Sequence, residues 1–346
     1  MARIVVAGAG AIGASIAYHL VRHGTNDEIV LCDRAEVASG ATGKAMGGVR
    51  QQFSTEPEVR LAQASARFFA ALGEPLFEQV GYLFLATTEA GLAALDDRRR
   101  RQRALGVPVE AVDAAWVDGL RTDDVLGACI CREDGVADPT AGTRRLVDDA
   151  VAGGARLLEH TDARGLPADV LVVACGAASP ELVDVPVRPL VRQLVDTEAV
   201  PDLPRELPMT IEEETGFHFR RVGDGLRLAM TEPSLRWGTA EVVDESLVAD
   251  WLARLAHRYP RAAGVQVARA WAGLYDMTPD AHPIIGWVGD GVYAACGFSG
   301  HGFMQAPAVG AAVAEELLTG SSSFDLTPYR LERFTGGAVF PETLVL

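Results

Sequence analysis

The sequence predicts an α/β fold, in which a parallel sheet assembled from separate parts of the chain is joined to a second domain on a mixed or antiparallel sheet. Three observations support this prediction. A strand–helix–strand pattern opens the chain at residues 3–32, and β-branched runs typical of buried parallel strands recur at 169–174 and 292–295. Segment 187–231 instead contains alternating apolar and polar residues, which is typical of half-buried antiparallel strands.

Length and composition indicate a folded protein of two domains. The chain has 346 residues, of which 49% are hydrophobic and 23% charged, so a mainly disordered chain is excluded. The formal net charge of −16 argues against a nucleic-acid-binding role, because contacts to phosphates need a basic face. No internal repeat or linker is visible, so we expect both domains to be built from discontinuous segments.

The five cysteines predict neither a disulfide framework nor a metal site. Most of them lie in apolar runs, and no second Cys or His pair at zinc spacing accompanies Cys129 and Cys131. A reducing, cytoplasmic location fits this sparse set best. No membrane span is predicted, since the apolar N-terminal run contains three glycines and the later runs are interrupted within about 20 residues.

The opening unit carries a dinucleotide-binding motif. A strand is predicted at 3–7, a helix at 10–23 and a second strand at 28–32. Between the first strand and the helix lies a G-x-G-x-x-G motif, formed by Gly8, Ala9, Gly10, Ala11, Ile12 and Gly13. Gly8 permits the turn, Gly10 lets a pyrophosphate approach the helix N-terminus, and Gly13 allows close packing of helix on strand. Asp33 follows the second strand, where it can bind a ribose, so the motif predicts a Rossmann-type domain.

The rest of the chain continues with helical and extended patterns. Helical spacing of apolar residues recurs at 58–72, 89–105, 141–152, 244–257 and 305–319. Short apolar runs predict further strands at 82–87, 155–158 and 265–275. Small residues and glycines predict loops at 38–48 and 297–302.

Three later motifs carry a family resemblance. The small-residue segment 39–48 follows the second strand, segment 172–177 is a strand that ends in Cys175-Gly176, and the third motif runs through GLYDMTPD, HPIIG and GFSGHGFM between 273 and 304. With these motifs the chain, from residue 3 to about 320, resembles the D-amino-acid oxidase superfamily of FAD enzymes. It is most similar to the branch of sarcosine oxidases and β subunits of dye-linked L-proline dehydrogenases.

The resemblance implies FAD as the cofactor. The glycine turn would lie along the flavin ring near its N1–C2=O edge, with the N-terminus of the helix at 305 stabilising negative charge there. The FAD-binding domain would comprise 1–80, 132–186 and 281–346, and the substrate domain 81–131 and 187–280. The residues predicted to contact FAD are Gly8, Gly10, Ala11, Ile12, Gly13, Asp33, Arg34, Ser39, Thr42, Gly47, Gly48, Cys175, Gly176, Gly300, His301, Gly302, Phe303 and Met304.

The resemblance also implies a substrate pocket with Arg50, Tyr275 and His301. The guanidinium of Arg50 can bind an amino-acid carboxylate through two parallel hydrogen bonds. Tyr275 fits a phenol in the pocket wall or an ordinary core tyrosine, and His301 fits a contact with flavin or substrate, or packing within the turn. Arg227 loosely matches a basic residue that promotes reaction with oxygen in sarcosine oxidases, the alternative being an outward-facing strand arginine.

Three features depart from the sarcosine oxidase pattern. Gly273 replaces the cysteine that tethers FAD in monomeric sarcosine oxidases, so we expect FAD to bind non-covalently. Met304 replaces a carboxylate-binding lysine of those oxidases, which makes sarcosine a less favoured substrate. Segment 158–170 is too short for the β-hairpin usual in the family, so either another subunit covers the dinucleotide there or the cofactor is more exposed.

The implied reaction is oxidation of an amine, most directly a secondary or cyclic α-amino acid such as proline or an N-methyl amino acid. A hydride would pass from a C–H bond to flavin N5 and leave an imine, and oxygen or another acceptor would then reoxidise the flavin. The alternatives are an FAD oxidase of a 2-hydroxy acid or of a specialised natural-product amine, and an FAD-carrying subunit that is active only in a hetero-oligomer. The expected partners are a small-molecule substrate and an electron acceptor, and both a homo- and a hetero-oligomer stay open.

Overall fold

A computed structural model describes residues 1–335, 341–342 and 345 of the chain. The final part of the predicted segment 281–346, namely 336–340, 343–344 and 346, lies outside the described residues. The α-helices of the described chain are α1 Ala11–Arg22, α2 Glu56–Leu72, α3 Glu89–Ala104, α4 Pro139–Ala152, α5 Glu245–Arg258 and α6 Gly302–Thr319. Its strands are β1 Arg3–Ala7, β2 Glu28–Cys32, β3 Gly48–Val49, β4 Phe77–Glu78, β5 Tyr82–Ala86, β6 Val109–Val112, β7 Gly127–Cys131, β8 Gly135–Ala137, β9 Arg156–Leu158, β10 Val170–Val173, β11 Arg188–Thr197, β12 Met209–Glu212, β13 His218–Val222, β14 Gly225–Ala229, β15 Arg236–Trp237, β16 Val267–Met277, β17 Ile284–Gly289 and β18 Val292–Cys296.

A six-stranded sheet gathers strands from both ends of the chain. Its order is β17-β18-β10-β1-β2-β9, and every pair is parallel except the antiparallel edge pair of β17 and β18. Helices α1, α4 and α6 pack together beside it. Close packing of α1 on α6 needs Gly310, because a Cβ there would lie 2.1 Å from the Ser15 hydroxyl.

The carboxyl ends of β1, β10 and β18 meet at one edge of this sheet. Two backbone hydrogen bonds join neighbouring strands just where the strands end. The Gly8 N–H donates to the Cys32 carbonyl, and the Ala174 N–H donates to the Ala7 carbonyl, both at 2.8 Å. Ligands of open α/β sheets bind in the crevice outside such carboxyl ends. The topology therefore places the turns after these three strands around one candidate site.

A separate mixed sheet has nine strands. Its main path is β15-β11-β14-β13-β12-β5-β7-β6, and β16 pairs with β11 over ten residue pairs. The pair of β12 and β5 is parallel, whereas the others are antiparallel. Helix α5 covers part of this sheet and buries Trp251 and Leu255 in its core.

The predicted fold class is confirmed, since the chain combines a mainly parallel sheet with a separate mixed sheet. The six-stranded sheet draws all its strands from 1–80, 132–186 and 281–346, and the nine-stranded sheet from 81–131 and 187–280. The division into two domains at those boundaries stays a prediction. Helix α6 differs from its prediction, because it begins at Gly302 and not at 305.

All five cysteines lie in the described part of the chain, and none forms a disulfide. No helix among the described residues is long and apolar enough to cross a membrane. The cytoplasmic location stays a prediction.

Candidate active site

A cavity of about 370 Å³ lies between the carboxyl edge of the six-stranded sheet and one face of the nine-stranded sheet. Arg50, Tyr275 and His301, which were predicted for the substrate pocket, all line it. Of the residues predicted to contact FAD, those that line it are Gly8, Gly10, Ala11, Ile12, Asp33, Ser39, Thr42, Gly47, Gly48, Cys175, Gly176, Gly300, His301, Gly302, Phe303 and Met304. The structure thus brings together residues that are up to 296 positions apart, from Gly8 to Met304.

Two residues predicted to contact FAD do not line this cavity. Gly13 lies behind the glycine loop, where a Cβ would come within 1.8 Å of the Gly8 carbonyl oxygen, so its position serves the packing of α1 on β1. Arg34 pairs with Glu181 at 2.7 Å, and both side chains are about half exposed. Its guanidinium therefore lies at the surface and not in the cavity wall.

The glycine loop at one end of the cavity leaves room for a phosphate. Gly8 has φ +104°, and a Cβ there would lie 2.3 Å from the Ala174 carbonyl oxygen, so only glycine fits this turn. At Gly10 the nearest neighbour of an added Cβ is the Thr42 hydroxyl, at 3.2 Å. Helix α1 begins here at a glycine that offers no side-chain cap, and the Thr42 hydroxyl accepts the Ala11 N–H at 3.0 Å. Because Gly10, Ala11 and Ile12 line the cavity, the positive end of the helix dipole faces it.

Asp33 is fixed at the end of β2. One of its carboxylate oxygens accepts the Ala9 N–H at 2.7 Å and the other accepts the Ala35 N–H at 2.8 Å. Nearby Cys175 donates its thiol to the Ala7 carbonyl at 3.3 Å, and burial raises the pKa of that thiol to about 12. The cysteine that lines the cavity is therefore protonated and unreactive at neutral pH.

A second helix N-terminus faces the other end of the cavity. The turn before α6 is held by Asp276, whose carboxylate accepts the Gly297 N–H at 2.8 Å. Gly300 has φ +93°, and a Cβ there would lie 2.3 Å from the Tyr275 ring. Helix α6 starts at Gly302 without a side-chain N-cap, so its positive dipole end is available to a ligand.

These features fit an elongated dinucleotide. The helix N-terminus with an open glycine can hold a pyrophosphate, and the adjacent carboxylate of Asp33 can hold a ribose. The N-terminus of α6, which lines the same cavity, can stabilise negative charge on an aromatic ring system. The residues present therefore match the FAD that the sequence motifs imply.

Arg50 is buried and held in place. One guanidinium nitrogen donates to the Gln52 carbonyl, another lies 3.4 Å from Nε2 of His301, and the guanidinium carbon lies 4.1 Å from the centroid of the Phe53 ring. Burial lowers the pKa of Arg50 below its usual value. The residue thus supplies fixed positive charge beside His301.

The segment that carries Arg50 rests on a buried carboxylate. Asp134 accepts the Gln51 N–H at 3.0 Å and the Gln52 side-chain N–H at 3.1 Å. Burial raises the pKa of Asp134 to about 6, against the lowering effect of these hydrogen bonds. The position of this segment is therefore coupled to a group that titrates near pH 6.

Arg192 is a cavity residue that the sequence analysis missed. It lies on β11 with 8% of its surface exposed, and its guanidinium carbon is 5.7 Å from the centroid of the Tyr275 ring. Its Nε and one Nη have no hydrogen-bond partner in the part of the chain that the structure describes. A buried guanidinium with unused donors is suited to an anionic ligand.

His218, on β13, is a second cavity residue that was missed. Its Nδ1 lies 2.7 Å from the Gly216 carbonyl oxygen, and burial lowers the pKa of the ring to about 4, with Arg50 and Arg192 acting in the same direction. The imidazole is therefore neutral at physiological pH. Other cavity residues that were missed are Lys44, Tyr82, Gln193 and Glu241.

Two further expectations concern residues around the cavity. Arg227 does not line it, because its guanidinium pairs with Asp196 through two contacts of 2.8 Å. The short segment after β9 forms a 3₁₀ turn at Ala163–Gly165, and its Thr161 N–H donates to the Asp33 carbonyl at 2.7 Å. The chain thus bonds directly to the loop after β2 where the family resemblance predicts a hairpin.

Comparison with known proteins identifies the family of this chain. A model of the DAO family, described as FAD dependent oxidoreductase, matches residues 3–316. The chain belongs to this family. The resemblance found in the motifs is thereby confirmed, and the protein is an FAD-dependent oxidoreductase.

Several relatives share nearly the whole chain. It is 27% identical to glycine oxidase of Geobacillus kaustophilus, over 96% of this chain and 97% of that protein. It is also 27% identical to FAD-dependent oxidoreductase domain-containing protein 1 of Bos taurus, over 99% of this chain and 87% of that protein. A 4-methylaminobutanoate oxidase of Paenarthrobacter nicotinovorans is 26% identical, but the chain spans only 46% of its length. Among solved structures, L-proline dehydrogenase from P. horikoshii superposes with a TM-score of 0.91 and 27% identity, covering 98% of this chain and 99% of that one.

Proposed function

We propose that this protein oxidises an amine that also carries a carboxylate, most directly a secondary or cyclic α-amino acid, with non-covalently bound FAD. The observation that carries the proposal is the buried Arg192, which lines the cavity and whose Nε and one Nη have no hydrogen-bond partner among the described residues. The similarity to a glycine oxidase, a 4-methylaminobutanoate oxidase and an L-proline dehydrogenase supports the amine as substrate. All three names describe compounds that contain both an amine and a carboxylate.

Arg192 is the proposed carboxylate contact. A guanidinium can bind a carboxylate through two hydrogen bonds, and the Nε and Nη1 of Arg192 have no hydrogen-bond partner among the described residues, so the protein's own acceptors do not use them. Arg50, for which the sequence analysis predicted this role, already donates to Gln52 and lies over Phe53. We therefore assign the carboxylate contact to Arg192, and we propose that Arg50 supplies positive charge beside it.

The positive charge of the two arginines also prepares the amine. An ammonium group near Arg50 and Arg192, in a buried cavity, has a lowered pKa because burial and like charge both disfavour its protonated form. A neutral amine is the form that can be oxidised. Tyr275 and His301 complete the wall beside these arginines and hold the substrate away from water.

When FAD is bound, its flavin ring would be the acceptor of the hydride. We propose that α1 and Asp33 hold its adenosine diphosphate part and that the turn before α6 holds its ring. Gly273 offers no side chain for a covalent tether, and the thiol of Cys175 is protonated. On this proposal, segments 1–80, 132–186 and 281–346 bind the cofactor and segments 81–131 and 187–280 bind the substrate.

Product analysis tests this proposal. The flavin-loaded protein is incubated with L- and D-proline, sarcosine, glycine and 2-hydroxy acids, with either oxygen or an artificial dye as acceptor, and the products are identified by mass spectrometry. We expect an imine or its hydrolysis product from a secondary amino acid. A 2-oxo acid formed from a 2-hydroxy acid, with every amine unchanged, would overturn the proposal. The same protein on gel filtration tests the subunit alternative, which predicts loss of flavin or aggregation in the absence of a partner.

A further inference from the structure

We propose that His218 accepts a hydrogen bond from the N–H of the bound amine, so that the site selects amines that retain an N–H. The proposal rests on the proposed function and names a specificity-determining residue within it. It concerns amines that carry a carboxylate, because the same cavity holds Arg192.

The hydrogen bond to Gly216 fixes the tautomer of His218. A carbonyl oxygen can only accept, so at 2.7 Å the neutral ring must donate its N–H from Nδ1. The remaining nitrogen, Nε2, then has a lone pair and no proton. The ring therefore presents an acceptor on the side opposite to Gly216.

This acceptor has no protein partner. His218 is 4% exposed and lines the cavity, and its Nε2 has no hydrogen-bond partner among the described residues. The charged groups that act on the ring are Arg50 and Arg192, both cations and both donors. Protonation of His218 beside these two cations is unfavourable, so the ring stays an acceptor. A buried acceptor needs a donor, and an N–H of the bound amine can supply it.

The sheet sets the distance between His218 and the carboxylate site. His218 lies on β13, which pairs with β14, and β14 pairs with β11, which carries Arg192. Neighbouring strands are about 4.8 Å apart, so the two strands are separated by about 10 Å. Side chains that extend from both into one cavity leave room for an α-amino acid, in which the carboxylate and the amine share one carbon.

The expected consequence is rejection of tertiary amines. A neutral tertiary amine has no N–H, so its binding leaves Nε2 of His218 buried without a donor. Loss of one buried hydrogen bond weakens binding by about 10- to 100-fold. Primary and secondary amines avoid this penalty.

A pair of unreactive ligands tests the proposal without turnover. Pyrrole-2-carboxylate carries an N–H where 2-furoate, of nearly the same shape, carries an oxygen acceptor. Their dissociation constants for the flavin-loaded protein are measured from the change in the flavin spectrum, for wild type, His218→Phe and His218→Gln. We expect wild type to bind pyrrole-2-carboxylate at least 10-fold more tightly, His218→Phe to bind both within about twofold, and His218→Gln to recover part of the preference through its amide oxygen.

The outcomes separate this proposal from the proposed function. Equal binding of both ligands by wild type, or an unchanged ratio in His218→Phe, overturns the role of His218 alone. Failure of wild type to bind either ligand contradicts carboxylate recognition and overturns both proposals. The ratio of kcat/KM for sarcosine and N,N-dimethylglycine gives a second readout, which we expect to move toward one in His218→Phe. The FAD content and the melting temperature of each variant are measured as controls, because the ratios can be compared only between proteins that are folded and loaded with flavin.

Discussion

Replacing Arg192 with methionine should make the protein more stable and less active. The guanidinium is buried and two of its donors have no hydrogen-bond partner among the described residues, so the folded protein bears their desolvation. Such a group costs about 1–3 kcal/mol, and methionine fills a similar volume without polar atoms. We therefore expect the free energy of unfolding of Arg192→Met to rise by about 1–3 kcal/mol.

The loss of activity follows from removal of the guanidinium as a partner for the substrate carboxylate. Two hydrogen bonds from a guanidinium to a carboxylate contribute about 1.5–3 kcal/mol each, or about 3–6 kcal/mol together. Allowing for the positive charge that Arg50 retains, we expect kcat/KM for an amino acid to fall by about 100- to 1000-fold. The corresponding amine without a carboxylate, such as pyrrolidine in place of proline, should lose less than about threefold.

Arg227→Met is the matched control. Arg227 lies on β14, beside β11, and it pairs with Asp196 through two contacts of 2.8 Å. Its removal leaves a carboxylate without its partner, so the free energy of unfolding should fall by about 1–3 kcal/mol. Chemical denaturation gives the stabilities, and steady-state kinetics on proline and pyrrolidine give the activities. A destabilised Arg192→Met variant, or equal losses on the two substrates, would refute the assignment of Arg192.

Three other predictions concern the cofactor site and its support. Gly10→Val should give folded but colourless protein, because the side chain fills the space for the pyrophosphate. Gly289→Val is the control and should keep its FAD, since Gly289 does not line the cavity and has open space around its Cβ. Absorbance spectra of the purified variants check both. Acid precipitation should release all flavin into the supernatant, since Gly273 offers no tether, and a yellow pellet would contradict non-covalent binding. The pKa of Asp134 is raised to about 6 from about 3.9 in an unfolded chain. The folded state therefore binds more protons between these values, so stability falls by about 2 kcal/mol as pH rises from 4 to 6, and Asp134→Asn should lack this fall in denaturation curves.

Local patterns were sufficient to predict the cofactor end of the site. Strand β1, the glycine motif and β2 follow one another directly in the sequence, so they form through contacts between residues close in the chain. Gly8 and Gly10 are needed for the backbone conformation and the space of the turn itself, which a sequence motif can show. The motif predicted the packing role of Gly13, but the sequence did not show that this role keeps Gly13 apart from the glycines that line the cavity. That distinction depends on how closely α1 lies on β1.

The substrate end depended on pairing across the second sheet. Arg192 and His218 lie in alternating segments, where sequence alone does not show which face of a strand meets the cavity. The pairing of β11 with β14 and β16 decides this, and those contacts join residues far apart in the chain. An arginine or histidine at a strand position that the alternation pattern assigns to the buried face is the signal that could have identified Arg192 and His218.

Several elements differed from prediction, three of them for local reasons. Strands β6 and β7 were not predicted, because β7 is short, almost wholly buried between β5 and β6, and so lacks alternation. Helix α6 begins three residues early because Gly302, a poor helix former, is held in the first turn by the packing of the preceding glycine turn on Tyr275.

The most direct test of amine oxidation is anaerobic reduction of the bound flavin. The purified yellow protein is mixed without oxygen with L-proline, sarcosine or another N-methyl amino acid, and with 2-hydroxy acids in parallel, while the absorbance of the oxidised flavin is followed. The account predicts that a secondary amino acid bleaches the flavin and that the 2-hydroxy acids leave it yellow. Bleaching by a 2-hydroxy acid, with no response to any amine, would contradict it.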